Sequence, residues 1–166
     1  MGLIGMITYL SIALGSLLFG SKIDSIGRKR SLIYSSLITP IVFIWWLIWP
    51  KLSLNSIYGG VFIVGLAAST RASSAFLLAS EGVAREDRGS YGVMLFVTDG
   101  FATILISGLF WAGILTWRSF CGMSIVLMLI FVLFVVICVP DSPLYLFEKE
   151  NFVALKSCLT KIARIN

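Results

Sequence analysis

The chain has 166 residues, of which 58% are hydrophobic and 13% charged, with a formal net charge of +5 and no histidine. A soluble domain this small has too much surface to hide that much apolar side chain, so the composition is that of an integral membrane protein. No soluble basic face is left to bind nucleic acid, and the scattered Cys121, Cys138 and Cys158, in no CxxC spacing, argue against a disulfide framework or a zinc site.

Residues 1–19 form an apolar run of nearly spanning length that starts at the first residue, with no charged leader or small-residue cleavage site before it. It reads as a retained transmembrane helix, in which Gly2, Gly5, Ser11, Gly15 and Ser16 are small positions that allow close packing. The stretch from Gly20 to Arg30 comes next, a dense patch of glycine and charge between two long apolar runs. It predicts a short tight loop. Gly20 and Gly27 let the backbone turn, Asp24 accepts hydrogen bonds from the start of the next helix, and Arg28, Lys29 and Arg30 collect positive charge on one side of the bilayer.

A second span covers 31–49, with Pro40 as a mid-helix kink and Pro50 as its stop. After a loop at 51–55 a third span runs over 56–79, a fourth over 90–115 and a fifth over 119–139, ended by Pro140. Residues 1–140 thus read as an all-α bundle of five transmembrane helices. In the tail, residues 141–166, Phe152, Leu155, Leu159 and Ile162 recur at helical spacing with Lys156, Lys161 and Arg164 mostly opposite. That pattern predicts an amphipathic helix lying along the inner membrane surface.

Lysine and arginine divide unevenly between the two sides. Lys22, Arg28, Lys29, Arg30, Arg85, Arg88, Lys149, Lys156, Lys161 and Arg164 fall on one side and Lys51 and Arg118 on the other, with Arg71 inside a span. The excess places the first group in the cytosol, or in the matrix of a mitochondrion, and so the amino terminus outside and the carboxyl tail inside. Trp45, Trp46, Trp49, Trp111 and Trp117 gather at the opposite interface, where an indole keeps its ring in the acyl boundary and its N–H among headgroups.

The spacing Gly20, three residues, Asp24, two residues, Gly27-Arg28-Lys29 resembles the signature loop between the second and third helices of major facilitator superfamily transporters. Gly65 followed by Glu81 and then Arg88-Gly89 resembles the fourth helix and following loop of the sugar porters and organic-ion transporters in that superfamily. Pro140-Asp141-Ser142-Pro143-Leu144-Tyr145-Leu146 is similar to their motif after the sixth helix. The resemblance implies a partial amino-terminal half comprising helices two to six. Ser25, Val61 and Leu144 stand where members of those families carry arginine.

The resemblance also implies that Gly20, Asp24, Gly27, Arg28, Lys29, Glu81, Arg88 and Asp141 form an inner-gate charge network, pairs that lock the inner side shut and exchange when it opens. Read without the resemblance, the same charges are solvated loop residues that set topology. Arg71 and Asp99 are the charges within spans, at similar depth about 15 Å from the basic side at 1.5 Å per residue. They are expected either to pair with each other or to line a polar pathway, since a lone charge at that depth costs several kcal/mol. The small run Ala67, Ala68, Ser69, Thr70, Ala72, Ser73, Ser74, Ala75 around Arg71 reads as helix packing.

No catalytic set, phosphate loop, metal site or cofactor site is expected, and hence no enzyme. Two functions follow. One is transmembrane solute transport by alternating access, carrying a sugar or an organic ion and completed by a second half-transporter chain or a second copy. The other is a degenerate half that serves as a structural subunit of a larger membrane complex. Besides such subunits, the partner of either is the lipid bilayer.

Overall fold

The structure is a computed structural model that describes residues 2–49, 53–82 and 87–139, without the side chains of Ser21, Asp24, Glu81 and Gly82. Five helices fill the described residues: α1 (Gly2–Ile26), α2 (Arg28–Ile48), α3 (Leu54–Gly82), α4 (Arg88–Trp111) and α5 (Trp117–Cys138). Each is long and apolar enough to cross a bilayer. The five expected spans are therefore present, and the fold is all-α. The expected amphipathic tail lies outside the described residues.

Neighbouring side chains fix the helix directions. Ser11 and Gly15 of α1 meet Gly65 and Ser69 of α3 in the same order, so α1 and α3 run parallel. Trp46 lies on Gly60 and Thr39 on Arg71, which sets α2 antiparallel to α3. Trp46 on Trp117 and Lys29 on Val136 set α5 antiparallel to α2, and Gly92 of α4 faces Phe76 near the far end of α3. Among the described residues, Lys22, Arg28, Lys29, Arg30 and Arg88 share one end of the bundle, and Trp45, Trp46, Trp49, Trp111 and Trp117 share the other.

The α1–α3 contact is made of small residues. A Cβ built at Gly15 would lie 3.0 Å from the Ser69 Cβ and 3.1 Å from the Leu66 carbonyl oxygen, and one at Gly65 would overlap the Ser11 hydroxyl. Ser11 has no exposed surface, and its Oγ is satisfied within its own helix by donating to the Thr8 carbonyl at 2.7 Å. Between membrane helices the lipid gives no hydrophobic drive to associate, so backbone approach of this kind supplies the packing energy. Gly2 and Gly5, with the same potential, have nothing near them.

α2 buries a stripe at helical spacing, Leu32, Ser35, Ser36, Thr39, Phe43 and Trp46, and runs through Pro40 without a break. Its tryptophan end forms the bundle's apolar cluster, in which Val42, Phe43, Trp46 and Cys121 pack with Val61, Val64, Phe120 and Ile125. Phe43 and Trp46 stack at 5.5 Å, and Trp46 meets Trp117 at 5.6 Å. α4 is the outer element; none of its residues is buried.

Two boundaries differ from the sequence reading. The patch from Gly20 to Arg30 is not a loop of that length: α1 continues helically through Gly20 and Asp24 to Ile26, and the chain reverses at Gly27 alone, at φ 100°. Only glycine takes that conformation without strain, so one residue suffices for the turn. α4 stops at Trp111 instead of near 115 because Gly113 adopts φ 70°. Its N–H donates to the Phe110 carbonyl and that of Ile114 to the Leu109 carbonyl, a Schellman ending. Thr116 then caps α5 by accepting from the Ser119 N–H at 3.3 Å.

The small-residue seam makes a direct prediction. Gly65→Val should destabilise the bundle by about 1–3 kcal/mol through overpacking, and Ser11→Gly in the same chain should restore part of the loss. Thermal unfolding of the detergent-extracted protein, single variants against the double, measures both.

Candidate functional site

The end rich in basic residues carries the residues expected to form a charge network. Gly20 and Asp24 lie within the last turns of α1, Gly27 is the turn itself, and Arg28 and Lys29 open α2. Glu81 closes α3 and Arg88 opens α4. The side chains of Asp24 and Glu81, and all of Asp141, lie outside the described residues. At this end the Lys29 ammonium donates to the Val136 carbonyl at 3.4 Å. Val136 lies in the last turn of α5, where carbonyls have no helical partner and the helix dipole favours a cation. Lys29 thus ties the start of α2 to the end of α5.

The second group lies at mid-span. Arg71 is eleven residues before the end of α3, and Asp99 eleven after the start of α4, a rise of about 16 Å in each case at 1.5 Å per residue. The depths match, yet the two side chains are not brought together. No ion pair joins them among the described residues. Arg71 Nη1 donates to Thr39 Oγ1 at 3.2 Å and contacts Met128 Sδ at 3.8 Å. Thr39 is central in α2 and Met128 central in α5, so three helix midpoints converge on the guanidinium.

Each charge lines its own cavity. That of Arg71, about 330 Å³, lies between α3 and α5 and is lined by Arg71, Ser124, Leu127, Met128 and Phe131. Leu127 and Phe131 are exposed, so it opens on the bundle surface. The cavity of Asp99, about 470 Å³, lies between α3 and α4, with Ala72, Ser73, Ala75, Phe76, Leu95 and Phe96 as its other lining residues. Asp99 itself is exposed. The small residues that read as packing divide accordingly: Ala67, Ser69 and Ser74 are buried, whereas Ala72, Ser73 and Ala75 border the Asp99 cavity.

One turn from the Arg71–Thr39 contact toward the basic end, Ser36 on α2 and Ser74 on α3 are both fully buried. Neither hydroxyl has a hydrogen-bond partner among the described residues. Pro40 adds to this, since it has no N–H to give the Ser36 carbonyl. A polar layer therefore crosses the centre of an otherwise apolar bundle. Thr39, Ser124 and Met128 were not legible as site residues, because which helix faces Arg71 depends on rotations that a single sequence does not specify. Pro40 beside Thr39 was the available hint. Among the described residues there is no cluster of three or more metal-ligating side chains.

A family model described as sugar (and other) transporter matches residues 1–164. No curated protein matches the chain significantly.

Removing the acceptor should expose the dependence of Arg71 on its neighbour. Thr39→Val is expected to lower stability by about 1–3 kcal/mol, since it strands a half-buried charged donor at mid-span, while Thr39→Ser should be close to neutral. In the double variant Thr39→Val, Arg71→Leu the losses should fall short of additive, as read by thermal unfolding.

Proposed function

The chain belongs to the sugar (and other) transporter family, of the major facilitator type, and on that footing we propose that it forms a partial half-transporter moving a sugar or organic ion by alternating access. The observation that supports this reading is the placement of Arg71 and Asp99 at mid-span, each beside a cavity open on the bundle surface. Facing lipid, a charge at that depth costs several kcal/mol. Both faces therefore call for water or protein. In a transporter built of two rocking halves the central pathway supplies the water and the other half supplies the protein. A second copy, a separate complementary chain or further sequence of the same protein would take that place.

The basic end would then be the inner gate, facing cytosol or matrix. Asp24, Arg28, Lys29, Glu81, Arg88 and Asp141 would exchange partners as it opens, with Gly27 as the pivot of the first turn. Half-wet pairs contribute about 1 kcal/mol or less each. That is enough in a network to bias two states and weak enough to let them interconvert.

A structural-subunit role is the second reading, and one observation favours it. Val61, where members of the resembling branch carry arginine, packs against the Phe43, Trp46 and Cys121 cluster. The position has been absorbed into the apolar core. Solvent access separates the two functions. In a chain freed of Cys121, Cys138 and Cys158 by serine substitution, Arg71→Cys and Asp99→Cys should both react in native membranes with a small water-soluble thiol reagent. Two unreactive positions, within a large particle of many unrelated subunits, would overturn the transport reading in favour of the structural one.

A further inference from the structure

We propose that the Arg71 cavity binds an organic anion, a carboxylate-bearing molecule with a small apolar body. This names the solute of the pathway above and so rests on the transport reading. Among the described residues no carboxylate lies within ion-pair distance of Arg71; its contacts are a neutral hydroxyl and a thioether. A guanidinium has five N–H donors in a planar fork, and these two contacts use only Nη1. The remaining donors can serve a planar carboxylate, the group that this fork engages in two parallel bonds.

The walls describe the rest of the ligand. Ser124 offers one hydroxyl beside the cation, whereas Leu127, Met128 and Phe131 are apolar. Charge at one end and hydrocarbon along the sides suits an aromatic or short aliphatic acid better than a hexose, whose hydroxyls each demand a polar partner. The cavity volume of about 330 Å³ lies within the size range of small-molecule sites. Ser36 and Ser74, the two buried hydroxyls without partners among the described residues, form the adjoining layer on the basic side. They give the anion or its water a polar step toward that end.

A carboxylate at this depth has two sources, a water-soluble acid or a fatty acid from the bilayer, and the proposal is the former. The test uses the full chain in the particle extracted from its native membrane. Benzoate is the probe, with benzamide as the neutral isostere, benzylamine as the cation, glucose as the sugar and oleate as the lipid acid. Benzoate should raise the thermal stability of the particle and shield Arg71 from p-hydroxyphenylglyoxal, read by mass spectrometry of the wild-type chain. Arg71→Gln should weaken benzoate binding by about tenfold or more, and Arg71→Lys should retain part of it. The shielding measurement needs no variant to fold.

Benzamide matching benzoate, or benzoate binding unchanged in Arg71→Gln, would overturn the assignment. Oleate alone shielding Arg71 would overturn the solute source. If glucose binds and is carried while benzoate does nothing, this inference fails and the transport reading stands. If no solute binds and positions 71 and 99 are sealed to thiol reagents, both fail together.

Discussion

Much of this bundle depends on how closely α1 and α3 approach. Ser11 and Gly15 meet Gly65 and Ser69 with backbone nearly against backbone, and in a bilayer that intimacy stands in for the hydrophobic effect. It also sets a rotation. With Gly65 and Ser69 turned toward α1, Arg71, two residues beyond Ser69 and so about 200° further round at 3.6 residues per turn, points away from α1. That is the side where α2 and α5 offer Thr39 and Met128. The small-residue seam and the mid-membrane charge are two consequences of one helix orientation.

The seam between α2 and α5 is held at both ends by different means. At the tryptophan end the interaction is aromatic, through Phe43, Trp46, Trp117 and Phe120. At the basic end it is the Lys29 ammonium on the Val136 carbonyl. Between them lies the layer of Thr39, Arg71, Ser124 and Met128. The bundle is thus clamped at its two ends and polar in its middle. α4, with no buried residue, adds little to this frame.

The number of spans and, among the described residues, the division of charge and tryptophan between two ends were legible in the sequence, because length, apolarity and composition of each segment decide them locally. The family was legible too, from three loop motifs in order. Turn geometry was less so: Gly20 and Gly27 carry the same signal, yet only Gly27 takes the left-handed backbone, and Gly20 stays inside a helix that continues for another turn and more. The same limit applies to Arg71 and Asp99. Their depths follow from counting residues. Their partners depend on how α3 is turned about its axis, and that is settled by the contact with α1 many residues away.

Two opposite charges at one depth in one bundle have an arrangement that would cost the least free energy, a direct ion pair that removes both from the apolar phase. This bundle does not use it. Arg71 instead contacts neutral groups on one side of α3, and Asp99 stands exposed beside α4. Keeping them apart lowers the stability of the isolated bundle and leaves each charge facing a cavity. Each cavity therefore calls for an occupant of its own, whether water, a solute or a polar group from a neighbouring chain. A solute pathway and a scaffold packed against other chains both supply such occupants, so the access of water to each charge, more than the separation of the pair, divides the two functions.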